Sequence, residues 1–357
     1  MPEMAARALA GLFALGLSLP AWGQQNALSV IDTHNHLHGL RAPWQGGTDF
    51  EGAAEVALDA MDRFGVRMLL IMPPPQPEHF AAGYDATKLF PIARRHPGRF
   101  AVVAGGGTLN VMIQRAVRSG DVGAEVRRNF RAKAEELVRL GAVGFGELTA
   151  EHFSMNPRHP YVSAPPDHAL FRLLADIAAR HGVPIDLHME AIPEDMAVPP
   201  HLARRGRNPA RLGPNMAAFE RLLAHNRAAA IVWVHLGWDN TGRRTATLTR
   251  ALLERHANLY LSYRIPPHRR REPSVMANRI AGPDGRLRAE WHKLFSDFPD
   301  RVMVGTDRFF VSPRSQSPLR HTADSAATLA ILEQLPAAVA RRIAFENAAR
   351  LFRLGKK

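Results

Sequence analysis

The chain has 357 residues, with 46 Lys or Arg against 33 Asp or Glu, a formal net charge of +13, 17 His and no Cys. At 46% hydrophobic and 22% charged residues it has a globular composition, enough for one large domain or two small ones, and is neither disordered nor fibrous. The lack of Cys excludes a disulfide framework, a thiol nucleophile, a thiolate zinc site and an iron–sulfur cluster, so any metal must be held by His and carboxylates.

All but five of the basic residues are Arg, the Lys standing at 88, 133, 293, 356 and 357. Their even scatter is not the one-sided clustering that a nucleic-acid surface needs.

Arg7 precedes an apolar stretch over residues 8–19, and Pro20 is followed by Ala21-Trp22-Gly23, with small residues at the two positions a signal peptidase reads. Residues 1–23 therefore read as a secretory signal cut after Gly23, since the apolar run is shorter than the ~20 residues of a spanning helix. No later segment is long and apolar enough to cross a membrane. The expectation is an exported protein without a stable membrane anchor, in the periplasm of a Gram-negative cell, with residues 24–357 forming a single domain.

Eight short apolar or β-branched runs follow, at 28–34, 67–72, 99–105, 142–147, 183–188, 229–235, 258–263 and 302–307. Amphipathic stretches lie between them; over 123–140, Val126, Phe130, Ala134, Leu137 and Val138 recur at helical spacing. Eight such repeats in this length predict an α/β fold, a (β/α)8 TIM barrel. The alternative, a doubly wound open sheet, lacks a glycine fingerprint after its first strand. Two connections are long: 189–214, with five Pro and Arg204, Arg205 and Arg207, and 264–285, with Pro266, Pro267 and Arg269-Arg270-Arg271. Both leave the carboxyl ends of predicted strands, where barrel active sites lie, and are expected to be lids.

The first run leads into Ile31-Asp32-Thr33-His34-Asn35-His36. Two residues apart in an extended segment, His34 and His36 share a face, and one cation can reach both imidazoles. With 17 His in the chain such a pair arises by chance, so specificity must come from the other runs. These end in Gly146-Glu147, Asp186-Leu187-His188, Val234-His235 and Gly305-Thr306-Asp307. Four separate strands thus close with a metal-competent side chain at the end where a barrel gathers its catalytic groups.

A pair of His on strand one, His on strands five and six and Asp on strand eight is the pattern of the amidohydrolase superfamily of metal-dependent barrels, which the chain resembles from Asp32 to Phe352. The segment Ile343-Ala344-Phe345-Glu346-Asn347-Ala348-Ala349-Arg350-Leu351-Phe352 resembles the closing helix of the amidohydrolase-related branch, which also holds aminocarboxymuconate-semialdehyde and resorcylate decarboxylases and several lactonases. The resemblance implies one or two divalent ions, zinc first, with Mn, Fe and Ni as alternatives. His34, His36 and Asp307 would hold the first ion, and His188 would complete that site or hold a second. His235 would be an outer acid/base or carbonyl polariser beside one ion, and a ligand with His188 beside two. One departure stands out: strand four offers no Lys to be carbamylated, the nearest, Lys133, lying in the preceding helix. Glu147 can take the bridging part directly, or orient a ligand His.

Such an ion lowers the pKa of bound water from 15.7 to roughly 7 and polarises the carbonyl it touches. Asp307 would take the water's proton and pass it to the leaving group, and His235 would stabilise the oxyanion. The expected activity is hydrolysis of a C–O or C–N bond (lactone, ester or amide) in a small molecule, anionic ones included. The alternative is a non-oxidative decarboxylase of an aromatic or enolic acid, against which export counts; a non-catalytic binding barrel would not require Asp307. The expected partner is that small-molecule substrate and not nucleic acid, with homo-oligomerisation left open. Arg264 and Arg308, each following a strand end, are candidate carboxylate clamps or plain structural cations. His38 and His152 are outer groups or loop histidines, and Trp238-Asp239-Asn240 is a pocket wall or a structural turn.

Overall fold

The apolar runs form parallel strands: β1 (Val30–His38), β2 (Val66–Ile71), β3 (Phe100–Gly105), β4 (Gly144–His152), β5 (Ile185–Met189), β6 (Ile231–Leu236), β7 (Leu259–Tyr263) and β8 (Val302–Val304). This is a computed structural model, which describes residues 28–355 apart from 40–48, 77–83, 156–159, 205, 268–276 and 322. The signal-like segment 1–23 and Arg269-Arg270-Arg271 lie outside the described residues.

The strand order is β8-β7-β6-β5-β4-β3-β2-β1-β9, where β9 is Arg308–Val311. Only Gly305-Thr306-Asp307 separates β8 from β9, so the two are halves of one interrupted eighth strand. The first half pairs with β7 and the second with β1, which brings the two ends of the sheet together. The backbone N–H of Asp307 donates to the His34 carbonyl at 2.9 Å, and Thr33 Oγ1 donates to the Val304 carbonyl at 2.7 Å. The fold is a (β/α)8 barrel.

A helix returns the chain after each strand, among them Phe50–Phe64, Ala169–His181, Met216–His225 and Ala246–Arg255. The stretch predicted over 123–140 is the helix Ala124–Arg139, which buries Phe130, Ala134 and Leu137. Phe50–Phe64 is capped at its start by Asp49 and stopped by Gly65, whose φ of 67° suits a residue without Cβ.

Two cores result from strand alternation. The larger lies between strands and helices. The smaller groups Ile31, Leu70, Val103, Val232, Val234 and Met303 with Ala348 and Phe352 from the C-terminal helical segment. Asn347 of that segment donates to the carbonyls of Pro299 and Val302 at 2.7 and 2.8 Å, tying it to the start of β8. At roughly 1.5–3 kcal/mol per large apolar side chain buried, this cluster is a substantial part of the stability, and the polar residues collect at the opposite, carboxyl ends of the strands.

Three expectations need correction. β1 and β4 run on to His38 and His152, past the predicted ends at 34 and 147. The eighth strand stops at Val304, so Asp307 sits in the break. The connection 189–214 is not structureless: Met196–Ala197 pairs with Arg211–Leu212, the short helix Pro200–Ala203 lies between them, and Ile192, Leu202 and Leu212 pack on Phe153.

Candidate metal centre

Alternation along β1 turns His34 and His36 to one face, and each ring is held by Nδ1. His34 Nδ1 lies 3.0 Å from Asp186 Oδ2, and His36 Nδ1 lies 2.9 Å from the Met72 carbonyl. Both Nε2 atoms therefore point inward, each 3.4 Å from Glu147 Oε2. The other oxygen of the same carboxylate serves the other pair: Glu147 Oε1 is 2.9 Å from His188 Nδ1 and 3.2 Å from His235 Nε2. One carboxylate thus stands among four imidazoles, one oxygen to each pair. Asp307 completes the ring, with Oδ1 at 3.3 Å from His36 Nε2 and 3.9 Å from His34 Nε2. All six predicted residues are brought together.

The backbone has special features at these positions. His235 and Asp307 have φ of 60° and 53°, a left-handed conformation that costs of order 1–3 kcal/mol in a residue with a side chain. At His235 it matters for direction: Val232 and Val234 already face the smaller core, so simple alternation would turn residue 235 away. Gly305, two residues before Asp307, is required by close packing; a Cβ there would stand 2.9 Å from Ser262 and 3.3 Å from His34 Cβ. Asp32 holds the break in the eighth strand, accepting from the Thr306 N–H at 2.9 Å and from its hydroxyl at 2.6 Å.

Burial shapes the charges. It would raise the Glu147 carboxyl, but the charge of His34 and the hydrogen bonds from His188 and His235 bring it well below the usual carboxylate range. Burial likewise opposes ionisation of Asp307, yet Arg264 and His235 beside it hold that carboxyl far down. His34 runs against its own burial: Asp186 and Glu147 raise it well above an ordinary imidazole. His235 is pushed down to about 3, mainly by burial.

The donor set suits a divalent ion. Among the described residues His34 Nε2 and His235 Nδ1 are buried without a hydrogen-bond partner, a costly state for polar atoms unless something else satisfies them. Among the described residues two groups of side chains offer atoms within 4.8 Å of one another: His34, His36 and Asp307, and His34, Glu147 and His235. All donors are nitrogen or oxygen, the chemistry of Zn, Mn, Fe or Ni sites.

Two residues matter more here than the sequence indicated. Asp186 accepts a hydrogen bond from His34 Nδ1, and Arg264, 4% exposed, forms an ion pair with Asp307 Oδ2. Arg264 also stands 4.8 Å over the Trp238 ring, which makes it a buried neighbour of the centre and not a solvated cation. Arg308 turns to Ser325 and the rings of Phe64 and Phe310. The His152 ring lies 4.4 Å from that of His188, tilted to it, and His38 Nε2 is buried with no partner among the described residues. Asp239 and Asn240 form a turn: Asp239 accepts from Thr241, Gly242, Arg244 and Asn278, and Asn240 donates to Glu190. Lys133 is far out on its helix, paired with Glu136 at 2.6 Å.

A model of the amidohydrolase family matches residues 31–354. No curated protein matches the chain. Among solved structures, 4-oxalomesaconate hydratase from Rhodopseudomonas palustris is similar at 13% identity and a TM-score of 0.52, covering 91% of this chain and 95% of its own. An uncharacterised TIM-barrel protein from Bordetella bronchiseptica has 15% identity and a TM-score of 0.49, over 91% and 99% of the two chains. 2,6-Dihydroxybenzoate decarboxylase from Rhizobium has 14% identity and a TM-score of 0.47, over 91% and 99%. At 13% identity the likeness to the hydratase speaks for the fold alone.

Proposed function

The chain belongs to the amidohydrolase family, and from that premise we propose that it is a metal-dependent hydrolase of a C–O or C–N bond (a lactone, ester or amide) in a small, anionic substrate. The observation that carries this reading is the division of the Glu147 carboxylate between His34 with His36 and His188 with His235. Together with Asp307 these residues would hold one or two divalent ions, zinc first. Ions held there supply Lewis acidity, lowering the pKa of a water to roughly 7 and polarising the scissile carbonyl.

The chain's own groups do the rest. Asp307, kept anionic by Arg264, accepts the proton of the attacking water at a carboxylate oxygen and returns it to the departing oxygen or nitrogen. Its Oδ2 is held by Arg264, and its Oδ1 faces His34 and His36. His34 and His36 are oriented in advance through Nδ1, which spares the reaction the cost of arranging them. Arg264, buried beside Trp238 at the carboxyl end of β7, offsets the charge of Asp307.

Residues 1–23 are proposed to direct export, with the mature chain periplasmic and acting on a small molecule. Metal analysis of the mildly purified protein is expected to give between one and two divalent ions per chain. Turnover of a lactone, ester and amide panel in oxygen-18 water is expected to label the product acid. Full activity in a metal-free preparation overturns the hydrolase reading, whereas carbon dioxide release from hydroxybenzoates with no labelled product selects the decarboxylase.

A further inference from the structure

Asp186 is 1% exposed, inside the barrel on β5, two residues before His188. Its Oδ2 meets His34 Nδ1 at 3.0 Å, and its Oδ1 is buried with no hydrogen-bond partner among the described residues. A carboxylate that served the fold alone would be saturated with donors, as Asp32 is by Thr306 and Asp239 by its turn. A half-satisfied buried carboxylate is costly and needs another reason to be there. Room is also kept for it: a Cβ on Gly146 would come within 2.6 Å of Asp186 Cβ.

Its partner is the one histidine common to both candidate ligand groups, His34 with His36 and Asp307, and His34 with Glu147 and His235. At His36 the same ring atom, Nδ1, meets a backbone carbonyl, that of Met72. We infer that Asp186 is the positioning residue for the whole centre, fixing His34 with Nε2 inward and strengthening it as a donor, so that divalent-ion affinity depends on the Asp186 carboxylate. Fixing the tautomer and orientation of a shared ligand acts on every group that includes it, and carboxylates in this place typically contribute 10–100-fold in metal affinity.

The inference rests on the reading of this cluster as a metal centre, and the experiment separates the two. Zinc affinity of the full chain is measured by competition with a chromophoric chelator for wild type, D186N and D186S, with circular dichroism and thermal melts of the metal-free proteins alongside. D186N keeps the shape and removes the charge; D186S serves if D186N does not fold. The expected result is zinc affinity about 10–100-fold weaker in a variant whose metal-free melt matches wild type, together with a shifted visible spectrum when cobalt(II) replaces zinc. Zinc held by the variant within twofold of wild type overturns the role of Asp186 and leaves the metal centre standing. If wild type itself takes up no zinc, manganese or cobalt, the metal reading fails and the role of Asp186 with it.

Discussion

Arg264 closes on Oδ2 of Asp307, so the carboxylate most directly placed for proton transfer is bound to a guanidinium that is 4% exposed. Removing one member of such a pair leaves the other buried and uncompensated, which costs far more than the pair is worth. In the metal-free protein, R264M and D307N are each expected to lower stability by about 3 kcal/mol, and the double variant by well under their sum. Urea denaturation of the four proteins measures this cycle. Strict additivity would show that the two side chains do not interact in solution.

D307N keeps the volume and one oxygen of the side chain but cannot accept a proton at neutral pH. Loss of a positioned general base and acid typically costs 10²–10⁴-fold, and kcat for any substrate found is expected to fall by about that much. The circular dichroism spectrum should be unchanged, because the backbone N–H of residue 307 still donates to the His34 carbonyl. Retention of most of the activity would remove Asp307 from the chemistry.

An ion that binds the native state alone stabilises it by an amount set by its concentration over its dissociation constant, about 4 kcal/mol at a thousandfold excess. Dialysis against a chelator is therefore expected to lower the melting temperature by several degrees, and stoichiometric zinc to restore it. The orphaned His34 Nε2 and His235 Nδ1 are the atoms that gain partners. Differential scanning calorimetry at fixed pH, before and after zinc, reads the shift.

Much of this was legible from local pattern. Alternating apolar runs and the helical spacing of Phe130, Ala134 and Leu137 report the period of each element, and strand ends report where a barrel collects polar groups. The pairing of His34 with His36 follows from the same period of two. Alternation could not foresee His235, which reaches the centre through a left-handed residue, though His and Asp are among the side chains that enter that region most readily. Nor could it identify Asp186 and Arg264 as partners of His34 and Asp307, since those contacts join positions 152 and 43 residues apart. In a chain with 41 Arg, one more Arg carries no signal until the fold buries it. The two Pro-rich connections looked alike, but Leu202 and Leu212 give the first a small core of its own with Phe153.

Glu151, farther along β4 than Glu147, is 4% exposed, and burial raises its carboxyl from about 4.5 to about 7 despite hydrogen bonds from Tyr161 and Ser163. The native state thus holds this proton more tightly than the unfolded chain does. Its stabilising contribution is complete below about pH 4.5 and is lost as pH rises toward and through 7, amounting to roughly 3 kcal/mol. E151Q fixes the neutral form while keeping an oxygen for Ser163, whose hydroxyl donates at 2.8 Å. The variant is expected to match wild type near pH 4.5 and to exceed it by about 2–3 kcal/mol at pH 8. Urea denaturation at pH 4.5, 6, 7 and 8 gives the two stability curves, and parallel curves would mean that Glu151 ionises alike in the folded and unfolded states.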